Sequence, residues 1–337
     1  MKILTITCHR PHNYGAVLQT YALNKYLRDL GHDARVIDYI PAFMGRISEK
    51  HINNPIIKAI RKIILIPDNI KGGSVFGGFL KKHVKLTEKT YTRSKLIKDT
   101  PQADIYITGS DQVWNSEIPA GRDDTYFLDF VKPPAGKVSY AASMASDKLD
   151  EKQKKRYKEL LSGFNAISVR EASSVKILEE IGIKAQRTAD PVFLLPRSEW
   201  SGFAEKTDIK EKYVLVYAFN GQKNVFEFAD RLAKEKKLKV YSVHTRWLEG
   251  FRNTDKYYWC LSPNEFLYLI KNAEYVVTNS FHGICFSIIF NKEFFAFKKG
   301  ESGNSRIIDL LDYFGLKDRL ITKENNSVSG SLINFKH

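Results

Sequence analysis

Two Rossmann-like α/β domains facing a cleft are what this sequence predicts, and three observations predict them. The chain has 337 residues, about twice an average domain. Short apolar runs alternate with segments of helical spacing in both halves, the signature of parallel sheets covered by helices. A polar stretch, PRSEWSGFAEKTDIKEK (196–212), reads as a linker. The expected division is 1–195 and 196–337, with a basic insertion at about 41–98.

In the first half, KILTITC (2–8) reads as a buried strand. AVLQTYALNKYLRDLG (16–31) has helical periodicity, with Gly31 as its stop. DARVIDYI (33–40) is a second strand, so the first forty residues form a βαβ unit. NNPIIKAIRKIILIP (53–67) puts isoleucines on one helical stripe and cations off it, which suits a membrane interface or a helix packed on the core. KGGSVFGGFL (71–80) is glycine-rich and reads as a mobile segment. Strands follow at ADIYIT (103–108) and KVSYAAS (137–143). A charged helix covers 148–164, with Asp150 as a candidate N-cap, and AISVREASSVKILEEIGI (166–183) reads strand, turn, helix.

The second half repeats this grammar. YVLVYAF (213–219), LKVYSVH (238–244), EYVVTNS (274–280) and KEFFAF (292–297) are strands. Helices lie at 224–237, at 262–273 with Ser262 as N-cap and Pro263 after it, at 283–290, and at 304–316.

Composition narrows the class. Hydrophobic residues make up 43% and charged residues 27%, ordinary for a globular chain. No run of about 18 apolar residues is present to span a bilayer. The apolar run at the N-terminus is short and interrupted by His9-Arg10-Pro11, unlike a secretory signal. Cys8, Cys260 and Cys285 are far apart, which argues against a disulfide framework or zinc site and fits a reducing cytoplasm. The net charge is +15, and residues 51–98 hold eleven Lys/Arg against Asp68 and Glu88. That block suits an anionic partner or a solvated face. It lacks a nucleic-acid-binding motif, so no nucleic acid is expected as a partner.

Open parallel sheets bind ligands outside the carboxyl ends of their strands. The turns there are 9–15, 109–112, 142–144, 170–171, 220–221, 244–246 and 279–283. Ser280, His282 and the amides near Gly283 fall at a helix start, where free N–H groups and the dipole suit an anion. There His282 can donate a hydrogen bond or move a proton; equally, Ser280 can cap the helix and His282 satisfy a loop carbonyl. Asp111 is a strand-tip carboxylate, a base or a turn-former. Arg170 can fork onto an anion or pair with Glu171. Gly15 permits close approach to the backbone, with Asn13 and Gln19 on the same turn. Tyr14 and Trp114 can stack on a sugar, although Trp114 also suits a core. No GxGxxG after a strand, Walker loop, HExxH, CxxC pair or GxSxG is present.

NYGAVLQTYAL (13–23), GSDQVWN (109–115), SYAAS (139–143), ISVRE (167–171), DPVFLL (190–195) and TNSFHG (278–283), taken in order, resemble the polysaccharide pyruvyl transferase family. The resemblance spans about residues 3–320. It implies a GT-B-like fold, phosphoenolpyruvate as donor substrate with no separate cofactor and no metal, and a pyruvate ketal formed on a cell-surface glycan or its lipid-linked or nucleotide-linked precursor. It further implies His282 as proton donor and Asp111 as base. Arg170, Ser280, Gly283, Asn304 and Arg306 are implied to bind the donor, and Asn13, Tyr14, Gly15, Gln19, Ser110 and Gln112 the acceptor. The implied location is the cytoplasm, at the inner face of the membrane if residues 51–98 touch lipid.

One departure is visible: members often read Arg-Leu-His-Gly where this chain reads Ser280-Phe281-His282-Gly283. A full positive charge is missing there, and Arg306 or Arg246 would have to supply it. Two alternatives therefore stay open, a GT-B glycosyltransferase using a nucleotide sugar and a non-catalytic glycan- or anion-binding relative.

Overall fold

The computed structural model describes residues 1–44, 54–146, 148–219, 222–250, 254–299 and 304–322, apart from the side chains of 55, 58, 61 and 250. The chain divides into two compact units. The first holds Met1–Pro11, Ala16–Ile64 and Gly77–Leu194; the second holds His12–Gly15, Leu65–Phe76 and Leu195–His337.

The first unit is built on β1 (Lys2–Ile6), the helix α1 (Tyr14–Asp29, from Ala16 on) and β2 (Asp33–Tyr39). It continues through α2 (Pro55–Ile64), the second half of α3 (Ile66–His83), β3 (Leu86–Tyr91), α4 (Arg93–Lys98), β4 (Ile105–Thr108) and β5 (Gly136–Ala142). It closes with α5 (Glu151–Leu161), β6 (Ala166–Val169), α6 (Ala172–Glu180) and β7 (Gln186–Arg187). The sheet is parallel throughout, in the order β3-β2-β1-β4-β5-β6-β7. Its strand order reverses between β1 and β4, which makes the turns after those strands the ligand position of this topology. The core beneath is aromatic: Trp114 stacks on Phe127 at 5.4 Å and gives its indole N–H to the Tyr126 carbonyl at 3.0 Å. Trp114 is fully buried, so the sugar-stacking option for it is closed.

The second unit runs α7 (Arg197–Phe203), β8 (Tyr213–Tyr217), α8 (Lys223–Lys236), β9 (Lys239–His244), β10 (Lys256–Trp259) and α9 (Pro263–Asn272). It ends with β11 (Tyr275–Thr278), α10 (Phe281–Ile289), β12 (Glu293–Phe297), α11 (Ser305–Tyr313) and β13 (Leu320–Ile321). This sheet is also parallel, ordered β10-β9-β8-β11-β12-β13, and reverses between β8 and β11. Every residue of β8, YVLVY, is buried, as a strand covered on both faces requires.

The anticipated caps form. Asp150 opens α5 in a capping box with Gln153, and Ser262 opens α9 in one with Glu265. Gly31 and Gly315 take positive φ, 83° and 66°, just past their helices.

Two expectations are corrected. The glycine-rich 71–80 stretch is helical, inside α3, because burial of Phe76, Phe79 and Leu80 outweighs the poor helix propensity of its glycines. Gly72 has its own reason: a Cβ there would come within 2.2 Å of the His12 ring. The polar 196–212 stretch is no plain linker, since its first part folds as α7. Trp200 anchors that helix, fully buried and edge-on to Phe286 at 5.0 Å. Strands β3, β7, β10 and β13 had no clear signal; two of them have only two residues.

Candidate functional site

At the strand tips of the first unit, charge is gathered and already paired. Arg170, just past β6, is buried; its Nη1 donates to Asp190 Oδ2 at 2.8 Å and its Nε to Glu171 Oε1 at 3.2 Å. Ser110 Oγ donates to the same Asp190 oxygen at 3.0 Å, and Ser143 Oγ to Glu171 Oε1 at 2.6 Å. Burial alone would lower the Arg170 pKa, but Glu171, Asp190 and Asp111 together raise it, so the guanidinium is permanently charged. The donor-binding role implied for Arg170 thus meets a side chain occupied by two carboxylates. Asp190 and Glu171 are its ion-pair partners, and Asp190 was visible in the sequence only as part of a motif.

Asp111 sits one turn past β4 in the left-handed region, φ 75°, where aspartate is among the more tolerant residues. Its Oδ1 accepts from the Gln112 amide at 2.8 Å, and its carbonyl accepts from the Ser143 amide at 3.0 Å. The side chain is half-buried. Nearby Cys8 registers its charge: burial first, and Asp111 second, push that thiol up, so it stays protonated and is no nucleophile near neutral pH. Gln112 accepts from Asn115 Nδ2 at 2.8 Å. Gln19 is fully buried and donates to Thr7 Oγ1, the Ala16 carbonyl and Thr20 Oγ1, which makes it a brace between α1 and the end of β1. Ser110 is likewise fully buried. Neither Gln19 nor Ser110 offers an exposed face to an acceptor.

In the second unit the corner after β11 is built from neutral groups. Ser280 caps α10: its Oγ accepts from the Gly283 amide at 3.2 Å, and its own amide donates to Thr278 Oγ1 at 3.0 Å. Thr278 Oγ1 in turn donates to the Tyr217 carbonyl at 2.5 Å, tying the corner to β8. Gly283 has to be glycine, since a Cβ would lie 2.5 Å from Thr278 Oγ1. Asn279 clasps the backbone of Phe219 by both amide atoms, at 2.8 and 3.0 Å.

His282 lies on the first turn of α10, 6% exposed. Its ring rests on Gly15, so closely that a Cβ at position 15 would come within 2.0 Å of Nδ1. Gly15 therefore admits an imidazole rather than a ligand to its backbone. Tyr14, beside it, is fully buried and stacked on Phe266 at 4.2 Å and 3°, with Tyr217 edge-on at 5.8 Å. Its ring has no face left for a sugar, and burial pushes its phenol well up, so it is no proton donor near neutrality. Asn13 is half-buried on the same turn. Asn304 opens α11 and accepts from the Lys299 amide at 2.9 Å, and Arg306 is half-buried in the first turn. The turn at 220–221 lies outside the described residues.

The structure thus brings Gly15 to His282, Ser280 to Gly283, and Ser110 to Arg170 through Asp190. Sequence reading missed a further cluster in the second unit: Asp68 Oδ1 accepts from the Trp259 indole at 2.9 Å, and Lys71 lies 4.2 Å from the centre of that ring. Among the described residues no group of His, Cys, Asp or Glu is arranged to hold a metal ion.

Two all-parallel α/β units with polar residues at the sheet reversals define a protein of the GT-B type. Solved structures agree on that fold. S. aureus MnaA, solved with UDP, is 14% identical, with 96% of this chain and 86% of that one covered and a TM-score of 0.52. The UDP-GlcNAc 2-epimerase of Neisseria meningitidis, bound to UDP-GlcNAc, is 13% identical over 97% and 95%, TM-score 0.51. A putative UDP-N-acetylglucosamine 2-epimerase of Listeria monocytogenes is 10% identical over 98% and 91%, TM-score 0.50. No curated protein matches the chain. Residues 13–298 match the polysaccharide pyruvyl transferase family, and the protein belongs to it. It is a member of a transferase family that acts on polysaccharides.

Proposed function

We propose that the protein transfers the enolpyruvyl group of phosphoenolpyruvate to two hydroxyls of a glycan precursor in the cytoplasm, leaving a pyruvate ketal and inorganic phosphate. The family match over residues 13–298 carries this reading. The start of α10 supports it chemically: helix-end amides suit an anion, and an imidazole held against Gly15 is fixed in orientation.

In this reading a proton goes to the methylene carbon of the donor, from His282. The first hydroxyl adds to the neighbouring carbon, with Asp111 taking its proton. The second hydroxyl then displaces phosphate at that carbon, its proton leaving with the phosphate, and the ketal closes. Ser280, Gly283, Asn304 and Arg306 are assigned to the donor's anionic groups, and Asn13 and Gln112 to the acceptor. Arg170 is assigned to the fold of the first unit, with Asp190 and Glu171. The acceptor is a lipid-linked or nucleotide-linked sugar; the UDP and UDP-GlcNAc bound by the structural neighbours fit the second.

Purified protein, phosphoenolpyruvate and a panel of acceptors test this by phosphate release. Release that needs an acceptor, and that falls at least about 100-fold in His282→Ala, is expected for a group acting in proton transfer. No release with any acceptor, together with no heat of phosphoenolpyruvate binding, would overturn it. The same calorimetry with UDP then decides for a nucleotide-sugar enzyme, the reading that Ser280 in place of arginine keeps open.

A further inference from the structure

Fifteen large hydrophobic residues are exposed among the described residues, and six of them, Ile56, Ile57, Ile60, Ile63, Ile66 and Ile70, crowd into one stretch. Singly exposed apolar residues are ordinary, but a cluster marks a contact surface. Four lie on α2, PIIKAIRKII, at 68, 51, 52 and 66% exposure. Helical spacing puts these four within about a third of the helix circumference. By the same spacing the sequence positions of the helix's three cations, 58, 61 and 62, fall outside that third, and the helix has no acid.

We propose that α2 is an in-plane membrane anchor that seats its isoleucine face in the interface of an anionic bilayer, with its basic side toward the headgroups. Charge decides the occupant. α2 carries three Lys/Arg and no acid, so a second copy of the same helix would bring like charges together, whereas anionic lipid neutralises them. Ten residues are too few to span, and no described helix is long and apolar enough to cross a membrane. Four isoleucines and three cations give reversible, lipid-dependent attachment. The surface is independent of the reaction proposed above.

Co-sedimentation of the full chain with vesicles tests it. Binding to phosphatidylcholine mixed with phosphatidylglycerol, and not to phosphatidylcholine alone, is expected, with release by salt. The Ile60→Asp/Ile63→Asp double variant loses at least about tenfold in partition, and each cation changed to glutamine loses about fivefold. Thermal melts of the double variant stay near the parent, because Ile60 and Ile63 are exposed, and phosphate release in solution is unaltered. Failure of the parent to bind anionic vesicles overturns the proposal. So does equal binding by the double variant. A concentration-dependent dimer lost in the double variant, without vesicle binding, would assign the face to a second copy instead.

Discussion

The strand tips of the two units carry polar residues in opposite ways. In the first unit Arg170, Glu171 and Asp190 are ionic, buried and paired with one another. In the second, Thr278, Ser280 and Gly283 are uncharged and joined by single hydrogen bonds, and the absence of a side chain at Gly15 leaves room for the His282 ring. A buried, paired charge holds a shape, since removing one partner strands the other. Neutral donors at a helix start keep the capacity to meet an anion. The cluster after β6 thus serves the framework, while the corner after β11 and the Asp111 turn after β4, its counterpart in the other sheet, carry the candidate chemistry.

Removing the cation should give the largest effect. Arg170→Met leaves Glu171 and Asp190 buried without their partner, at a cost of about 3–5 kcal/mol, read as a lower denaturant midpoint. If the variant instead keeps its stability and only its KM for phosphoenolpyruvate rises, Arg170 binds donor and the contrast between the units fails.

Gly15→Ala attacks the neutral side. The new methyl occupies the space of the His282 ring, which has to turn away. Overpacking costs about 1–3 kcal/mol, and displacing a reacting group by an ångström costs about 100-fold in turnover. A melt combined with phosphate-release kinetics separates the two. Stability lost with turnover intact would make the imidazole a packing group.

These two residues also show what could be read in advance. Ser280 as a cap was legible, because capping is local and depends on residues three apart. The seat of His282 on Gly15 was not, since nothing local signals a contact between the first helix and the tenth. Arg170 was legible as a cation at a strand end, but its second ion pair is with Asp190, brought in from beyond α6. The helix across 71–80 was hidden for the same reason, as local glycine content points one way and the burial of Phe76 and Phe79 the other.

Acid sharpens the comparison from the charged side. Asp38 lies in the first unit near His9 and Arg10, 3.2 Å from His9 Nε2. Burial would raise its pKa, but hydrogen bonds from His9, Thr90 and Arg10 outweigh this and hold it well below the ordinary carboxylate range. A depressed folded value stabilises the protein above the unfolded value, and that contribution is lost as pH falls through the folded one. Asp38→Asn should therefore be about 1.5–3 kcal/mol less stable than the parent at neutral pH. The gap should close in strong acid. A gap that is constant with pH would mean the carboxylate charge is not what is lost.

The smallest expected effect is the most discriminating within the second unit. Ser280→Ala removes the cap from α10 and should cost about 1 kcal/mol, Ser280→Gly only a few tenths. The hydroxyl oxygen now holds the Gly283 amide, the same donor an anion would use. If the amide is what grips phosphoenolpyruvate, its release from the cap leaves affinity unchanged or improved while stability drops. If the Ser280 hydroxyl itself donates to the ligand, KM rises in both variants, and rises equally although their stabilities differ. Calorimetric titration of phosphoenolpyruvate into the two proteins reads that difference directly, because a helix-stability effect would rank them and a lost ligand contact would not.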